Sequence, residues 1–192
     1  MKRAAYMVAA GAALTAIAAA TFLAMPTRLI WNASASVPIG FYSLAPIDAP
    51  KLGELVATMP PETFADYLVA RGYIGRDTPL LKHVAALPGQ SVCRSGVRIT
   101  IDGRFAAEAR PRDRQGRDLP TWRGCRRLGP SEIFLMNTAV SDSMDGRYFG
   151  PTSIRAVIGR ASPLYTDETA DGRFIWRASR ARAPRLSPFP RQ

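Results

Sequence analysis

Leu80-Leu81-Lys82-His83-Val84-Ala85-Ala86-Leu87-Pro88-Gly89 places a lysine inside an apolar run that Pro-Gly then closes. The short apolar stretch and its bounding turn residues predict a strand over residues 80–87. Lysine is the odd member of it. Among 26 Lys and Arg only Lys2, Lys51 and Lys82 are lysines, so arginine is the default cation of this chain. Burial penalises a charged lysine and lowers its pKa, which lets it serve as a general base near neutral pH. Arginine does not deprotonate and cannot do this. Adjacent strand residues point to opposite faces, so Lys82 and His83 do not serve one site. The competing reading of the segment is a lysine that snorkels from a strand edge.

Outward from this run the chain keeps the same punctuation. Short alternating or apolar segments at 41–44, 54–59, 97–101, 132–136 and 154–161 are separated by Gly, Pro and Asp, as in a mostly β domain. Val97, Ile99 and Ile101 alternate with Arg98 and Thr100 ahead of Asp102-Gly103, a type I′ hairpin signal. One helix is expected at 62–71, opened by Pro60-Pro61 and closed by Gly72, with Phe64, Leu68 and, less cleanly, Tyr67 on its packing face. Two segments read as solvated: the Arg-dense 104–118, and the tail 172–192 with six arginines and no acid. Contact of that tail with an anionic surface is the alternative. Aromatic residues do not interleave with the basic loop, so no nucleic-acid partner is expected.

The chain has 192 residues, a net charge of +11 and 47% hydrophobic residues, which suits one domain with an appendage and excludes disorder throughout. The appendage is N-terminal. Residues 4–25 carry no charge, follow Lys2 and Arg3, and end at Pro26. As a helix they would span roughly 33 Å, about the thickness of a hydrocarbon core. The positive start sets the N-terminus in the cytoplasm and the remainder on the exported side. A cleaved signal segment competes with a retained anchor, and both lead to the same compartment. That compartment is oxidising in bacteria, so Cys93 and Cys125 are expected to form one disulfide, contributing roughly 3 to 4 kcal/mol by loop closure. A catalytic cysteine is the other reading, but neither Cys has a His or Lys beside it. Two cysteines and one histidine cannot build a four-Cys or a two-Cys, two-His zinc site.

Two further segments carry chemistry. Ser34-Ala35-Ser36-Val37-Pro38-Ile39-Gly40-Phe41-Tyr42 joins small residues and hydroxyls to Pro and Gly, suiting a tight loop that exposes a side chain; a plain linker is the bland reading. Ser141-Asp142-Ser143-Met144-Asp145-Gly146-Arg147-Tyr148-Phe149-Gly150-Pro151 reads locally as a turn with an ion pair. A Ser-His-Asp hydrolase of the α/β type would need His83 and a G-x-S-x-G elbow, and no such elbow is present. A Ser-Lys pair needs no histidine.

In order and spacing the three segments resemble the TraF-type conjugative-transfer peptidases of the bacterial type I signal peptidase superfamily, the S26 peptidases with a Ser-Lys dyad. Ser36 ahead of Pro38 and Gly40 resembles the nucleophile box; Leu81-Lys82-His83-Val84 with Leu87-Pro88-Gly89 resembles the general-base box. Signal peptidases proper usually carry Met after the nucleophile and Arg after the base, where Val37 and His83 stand here, which favours the TraF branch. The resemblance implies an antiparallel signal-peptidase-type β domain at 28–171, between an anchor at 1–27 and a basic tail at 172–192. It implies catalysis by Ser36 and Lys82, an oxyanion-hole hydroxyl on Ser34, a lysine-orienting hydroxyl on Ser143, a structural ion pair of Asp145 and Arg147, and no cofactor. Implied partners are an exported pilin-like precursor as substrate, membrane lipid through the N-terminal helix, and other conjugative-transfer components. The implied place is the bacterial inner membrane with the catalytic domain in the periplasm. A housekeeping signal peptidase and a non-catalytic envelope assembly protein are the alternative functions.

Overall fold

The computed structural model describes residues 2–22 and 28–178. The chain opens with helix α1 (Lys2–Phe22), 21 residues rich in alanine and about 31 Å long. The uncharged run extends to Met25, but residues 23–27 lie outside the described residues. Among the described residues no helix is long and apolar enough to cross a membrane. Alanine adds length to such a helix but little apolar surface.

After it come β1 (Leu29–Asn32), β2 (Ile39–Ala45), β3 (Leu55–Thr58), helix α2 (Glu62–Ala70), β4 (Leu80–Ala86), β5 (Ser91–Ser95), β6 (Arg98–Ile101) and β7 (Arg104–Glu108). Then follow β8 (Gly124–Arg127), β9 (Glu132–Leu135), the single turn α3 (Gly146–Phe149), β10 (Thr152–Ser153), a 3₁₀ turn (Ile154–Ala156), β11 (Val157–Asp167) and β12 (Ile175–Trp176). The larger sheet runs β1-β2-β11-β3-β4-β9-β10, with β12 added on β11, and the smaller runs β7-β6-β5-β8. All of these pairs are antiparallel. The fold is therefore mostly antiparallel β, as the turn punctuation predicts.

Glycine explains one crossing. Gly40 lies at φ +144, and a Cβ there would stand 2.2 Å from the Tyr165 carbonyl oxygen, so β2 can approach β11 only with no side chain at this position. The Asp102-Gly103 turn has positive φ at both residues, 50 and 76, as type I′ requires.

Three expectations need correction. Residues 104–118 are not wholly solvated: β7 pairs with β6, and Ala107 and Ala109 are buried, because small residues sit between the charged ones. A boundary at 171 falls short of the end of the sheet, since Thr166 and Tyr165 pair with Ile175 and Trp176. The remainder of the tail, 179–192, lies outside the described residues. Residues 154–156 form a 3₁₀ turn rather than the start of a strand; Ser153 caps it, its hydroxyl accepting from the Arg155 N-H.

Cys93 and Cys125 face one another across β5 and β8 and are joined by a disulfide. All four residues of β8 are exposed, so little buried apolar surface holds this edge strand and the covalent link tethers it. Helix α2 buries Leu68 completely and sets Phe64 near Tyr148 and Phe149, which is the packing role expected of that face.

Candidate active site

Strand β4 lies between β3 and β9, with Val56 opposite Lys82 and Leu135 opposite Val84, so the lysine is in the sheet interior and not at an edge. Leu80, Leu81 and Lys82 are all buried, Lys82 at 2% exposure. The snorkelling alternative does not apply. Burial drops the Lys82 pKa to about 8; the nearby Asp145 carboxylate opposes the shift and the Arg147 guanidinium adds to it.

Ser36 reaches the same point from a loop between β1 and β2. Asn32 organises that loop. Its Nδ2 donates to the carbonyls of Ser34 at 2.7 Å, Val37 at 3.1 Å and Pro38 at 3.0 Å, and its Oδ1 accepts from the Ser34 N-H and hydroxyl. From below, the buried Tyr42 hydroxyl donates to the Pro38 carbonyl at 2.7 Å. The loop is thus tied at several backbone points. Ser36 Oγ lies 3.2 Å from Lys82 Nζ and 3.0 Å from Ser34 Oγ. Lys82 Nζ is also 3.1 Å from the buried Ser143 hydroxyl, so two hydroxyls hold the amine in place.

Beneath Ser143 sits a buried ion pair. Arg147 Nε donates to Asp145 Oδ1 and Nη2 to Oδ2, each at 2.9 Å, in a two-pronged contact almost free of solvent. The remaining Arg147 protons go to the carbonyls of Glu108, Asn137, Val140, Ser141 and Ser143. Asp145 caps α3 by accepting from the Arg147 N-H and also accepts from the Asn137 N-H. Arg94 donates to the Arg147 carbonyl, which links the smaller sheet to this cluster. Gly146 is required by space, since a Cβ would lie 2.7 Å from the Phe134 ring.

The structure therefore brings Ser34, Ser36, Lys82, Ser143, Asp145 and Arg147 into one connected group, and keeps Cys93 and Cys125 bonded to each other. His83 points away from Lys82. Its Nδ1 is 3.0 Å from Asn137 Oδ1, and burial lowers its pKa, an effect Lys82 reinforces and the Asn137 contact opposes. Asn137 is a residue the sequence reading missed. Its Nδ2 donates to the carbonyls of Ser36 and Leu81, and its Oδ1 accepts from the His83 N-H, so it bolts the serine loop to β4. These partners are 101, 56 and 54 positions away along the chain, and no local pattern signals them. Asn32 was missed as well, although an Asn that ends a strand before a Ser-rich turn is a local signal for loop capping.

Two clefts flank Ser36. One, of about 330 Å³, is lined by Ser34, Lys82, Ser143 and a group of arginines; the other, of about 290 Å³, by Val37, Pro38, His83 and Asn137. An amine with a pKa of about 8 is partly unprotonated near neutral pH and lies within reach of a serine hydroxyl proton. Such an arrangement can generate a serine nucleophile with no histidine and no metal ion.

Comparison with known proteins gives the family. The sequence matches the family described as signal peptidase, peptidase S26, over residues 2–166. It is 33% identical over 145 residues to a probable conjugal transfer protein TraF of Sinorhizobium fredii, covering 70% of this chain and 76% of that protein. A plasmid transfer protein TraF of Escherichia coli is 31% identical over 174 residues, covering 84% of this chain and 94% of the relative. A crystal structure of a signal peptidase I from Enterococcus faecalis aligns with 59% of this chain and 97% of its own, at 16% identity and a TM-score of 0.35. The family match spans most of the chain and the transfer proteins cover more than two thirds of it, so this chain belongs to the S26 signal peptidase family.

Proposed function

We propose that this protein is a serine endopeptidase with a Ser36-Lys82 dyad that processes an exported, pilin-like precursor for conjugative transfer. The observation that carries the reading is the buried Lys82 amine held between Ser36 Oγ at 3.2 Å and Ser143 Oγ at 3.1 Å. Neutral Lys82 takes the Ser36 hydroxyl proton as Oγ attacks the scissile carbonyl. The Ser36 N-H and the Ser34 hydroxyl hold the oxyanion. For this the Ser34 proton turns from Asn32 Oδ1 toward the substrate oxygen, a rotation about one bond. On collapse the C-N bond breaks, the leaving nitrogen takes the proton from Lys82, and Ser36 is left as an ester. Water releases the acid, or an amine takes the acyl group and forms a new peptide bond. Ser143 orients the lysine, while Asp145 and Arg147 hold the Ser143 loop.

The transfer-protein relatives support this role over a housekeeping signal peptidase. Membrane attachment through residues 1–27 and a periplasmic catalytic domain are part of the proposal. A largely exposed aromatic cluster, which includes Trp31 on the first strand after the helix, supports it: Trp31 packs on Phe41 and Phe174, and Tyr165 on Phe174 and Trp176. Rings of this kind are favoured at membrane interfaces.

Mass spectrometry of the co-encoded pilin precursor, made with and without this protein, tests the reading. Processing should require both Ser36 and Lys82, and its products distinguish a free carboxyl end from a new peptide bond. Failure of a serine-directed acylating probe to label Ser36 would leave only a non-catalytic assembly role.

A further inference from the structure

Five arginines, Arg71, Arg110, Arg112, Arg114 and Arg117, line the cleft that contains Ser36, Lys82 and Ser143. Three of them are neutralised locally: Arg117 pairs with Asp113 at 2.7 Å, Arg112 with Asp118 at 3.0 Å, and Arg114 with Asp142. Arg71 and Arg110 have no carboxylate within ion-pairing distance among the described residues. Arg71 is held against the Tyr67 ring, its Cζ 5.0 Å from the centroid, and its Nη1 is buried with no hydrogen-bond acceptor. Buried guanidinium nitrogens are normally paired, so this one is short of an acceptor.

Across Ser36 the charge reverses. The second cleft carries Asp167 and Glu168 and neither lysine nor arginine. Asp167 is engaged, accepting from the Asp171 and Gly172 N-H groups, and Glu168 accepts from the Thr166 hydroxyl. Negative charge is thus favoured on one side of the nucleophile and disfavoured on the other.

We propose that the arginine-lined cleft binds a carboxylate-bearing segment of the substrate peptide, on one side of the scissile bond only. The proposal rests on the peptidase reading above and adds the chemical class of the substrate. The occupant is a peptide rather than a lipid headgroup because the same cleft holds the Ser36-Lys82 pair, whose chemistry acts on an acyl group. Arg71 and Arg110 are the specificity-determining cations, and the second cleft prevents the acidic segment from lying the other way round.

The test uses the full-length Ser36→Ala protein in mild detergent and fluorescence anisotropy of short blocked Ala-Ser peptides. One carries an Asp cluster near its N-terminal end, one near its C-terminal end, and one has Asn in its place. One Asp peptide, and not the other, should bind about tenfold tighter than the Asn control, or about 1.4 kcal/mol. The advantage should shrink as salt rises from about 0.05 to about 0.5 M, because the arginines are partly exposed. It should vanish in Arg71→Gln/Arg110→Gln. Arg110→Glu, a change at an exposed position with no bearing on the core, should by itself shift preference to a Lys-bearing peptide. Equal binding of all three peptides, equal gains by both Asp peptides, no binding at all, or an advantage that survives the double variant overturns the proposal. Competition by phosphatidylglycerol vesicles but not phosphatidylcholine vesicles overturns it in favour of headgroups. Probe labelling of Ser36 in the unaltered protein is read separately: labelling without acid preference leaves the peptidase reading intact, and acid preference without labelling leaves only the binding cleft.

Discussion

Replacing Lys82 by Met should make the protein more stable at neutral pH and less so in alkali, relative to the parent. Lys82 ionises at about 8 in the folded chain against 10.5 when exposed, because burial penalises its charged form. At 1.36 kcal/mol per tenfold change, carrying that proton in the interior costs folding on the order of 3 kcal/mol. The folded-state pKa is the lower one, so the unfolded chain binds more protons between about pH 8 and 10.5. The cost is fully present below pH 8 and disappears as pH rises through 10.5. Met preserves length and apolar bulk but leaves the Ser143 hydroxyl without its amine partner, an opposing loss of about 1 to 3 kcal/mol that does not depend on pH. Guanidinium unfolding of both proteins, followed by tryptophan fluorescence from neutral to alkaline pH, measures the difference. The advantage of the Met variant should fall by on the order of 3 kcal/mol across that range. A difference that stays flat would mean Lys82 keeps its ordinary pKa, and the case for it as a base would fail.

Turnover should rise with pH and level off above about 8, as the Lys82 amine loses its proton, while Lys82→Arg, which cannot lose one, should be inactive across the whole range; a stopped assay on precursor peptide reads both. Ser34→Ala should slow single turnover roughly 100- to 1000-fold with little change in substrate binding, and Ser34→Thr should recover part of the rate. Asn137→Ala frees the Ser36 and Leu81 carbonyls and the His83 N-H together, so thermal unfolding should show a loss of about 1 to 3 kcal/mol, with a fall in kcat as the serine loop loosens. Arg147→Met strands the buried Asp145 carboxylate and should cost about 3 to 5 kcal/mol by denaturant titration, more than most single substitutions.

What the sequence made legible was whatever depends on neighbours along the chain. Strands β2, β3, β4, β6 and β9 coincide with expected segments because alternation and turn residues are local signals, and the helix at 62–70 follows from its Pro and Gly brackets. Strands β5, β7 and β8 were invisible for a common reason: polar or small residues such as Arg94, Arg104 and Gly124 interrupt their patterns, and pairing with a partner strand decides them. Within the site, Ser36, Lys82 and Ser143 stood out through their motifs. Asn137 did not, since its three partners come together only after β4, β9 and the serine loop have met.

The burial of Lys82 also bears on when the protein can act. While the chain is open its amine is hydrated, has its ordinary pKa near 10.5 and holds its proton at neutral pH. The proton becomes easy to remove only once β4 is flanked on both sides and Arg147 has gathered the carbonyls of five separate residues beneath Ser143. A half-folded chain thus holds Ser36 and Lys82 but not the surroundings that lower the lysine's pKa. The acid-base property on which the proposed reaction depends therefore belongs to the assembled sheet and the Arg147 cluster, and not to Ser36 and Lys82 alone.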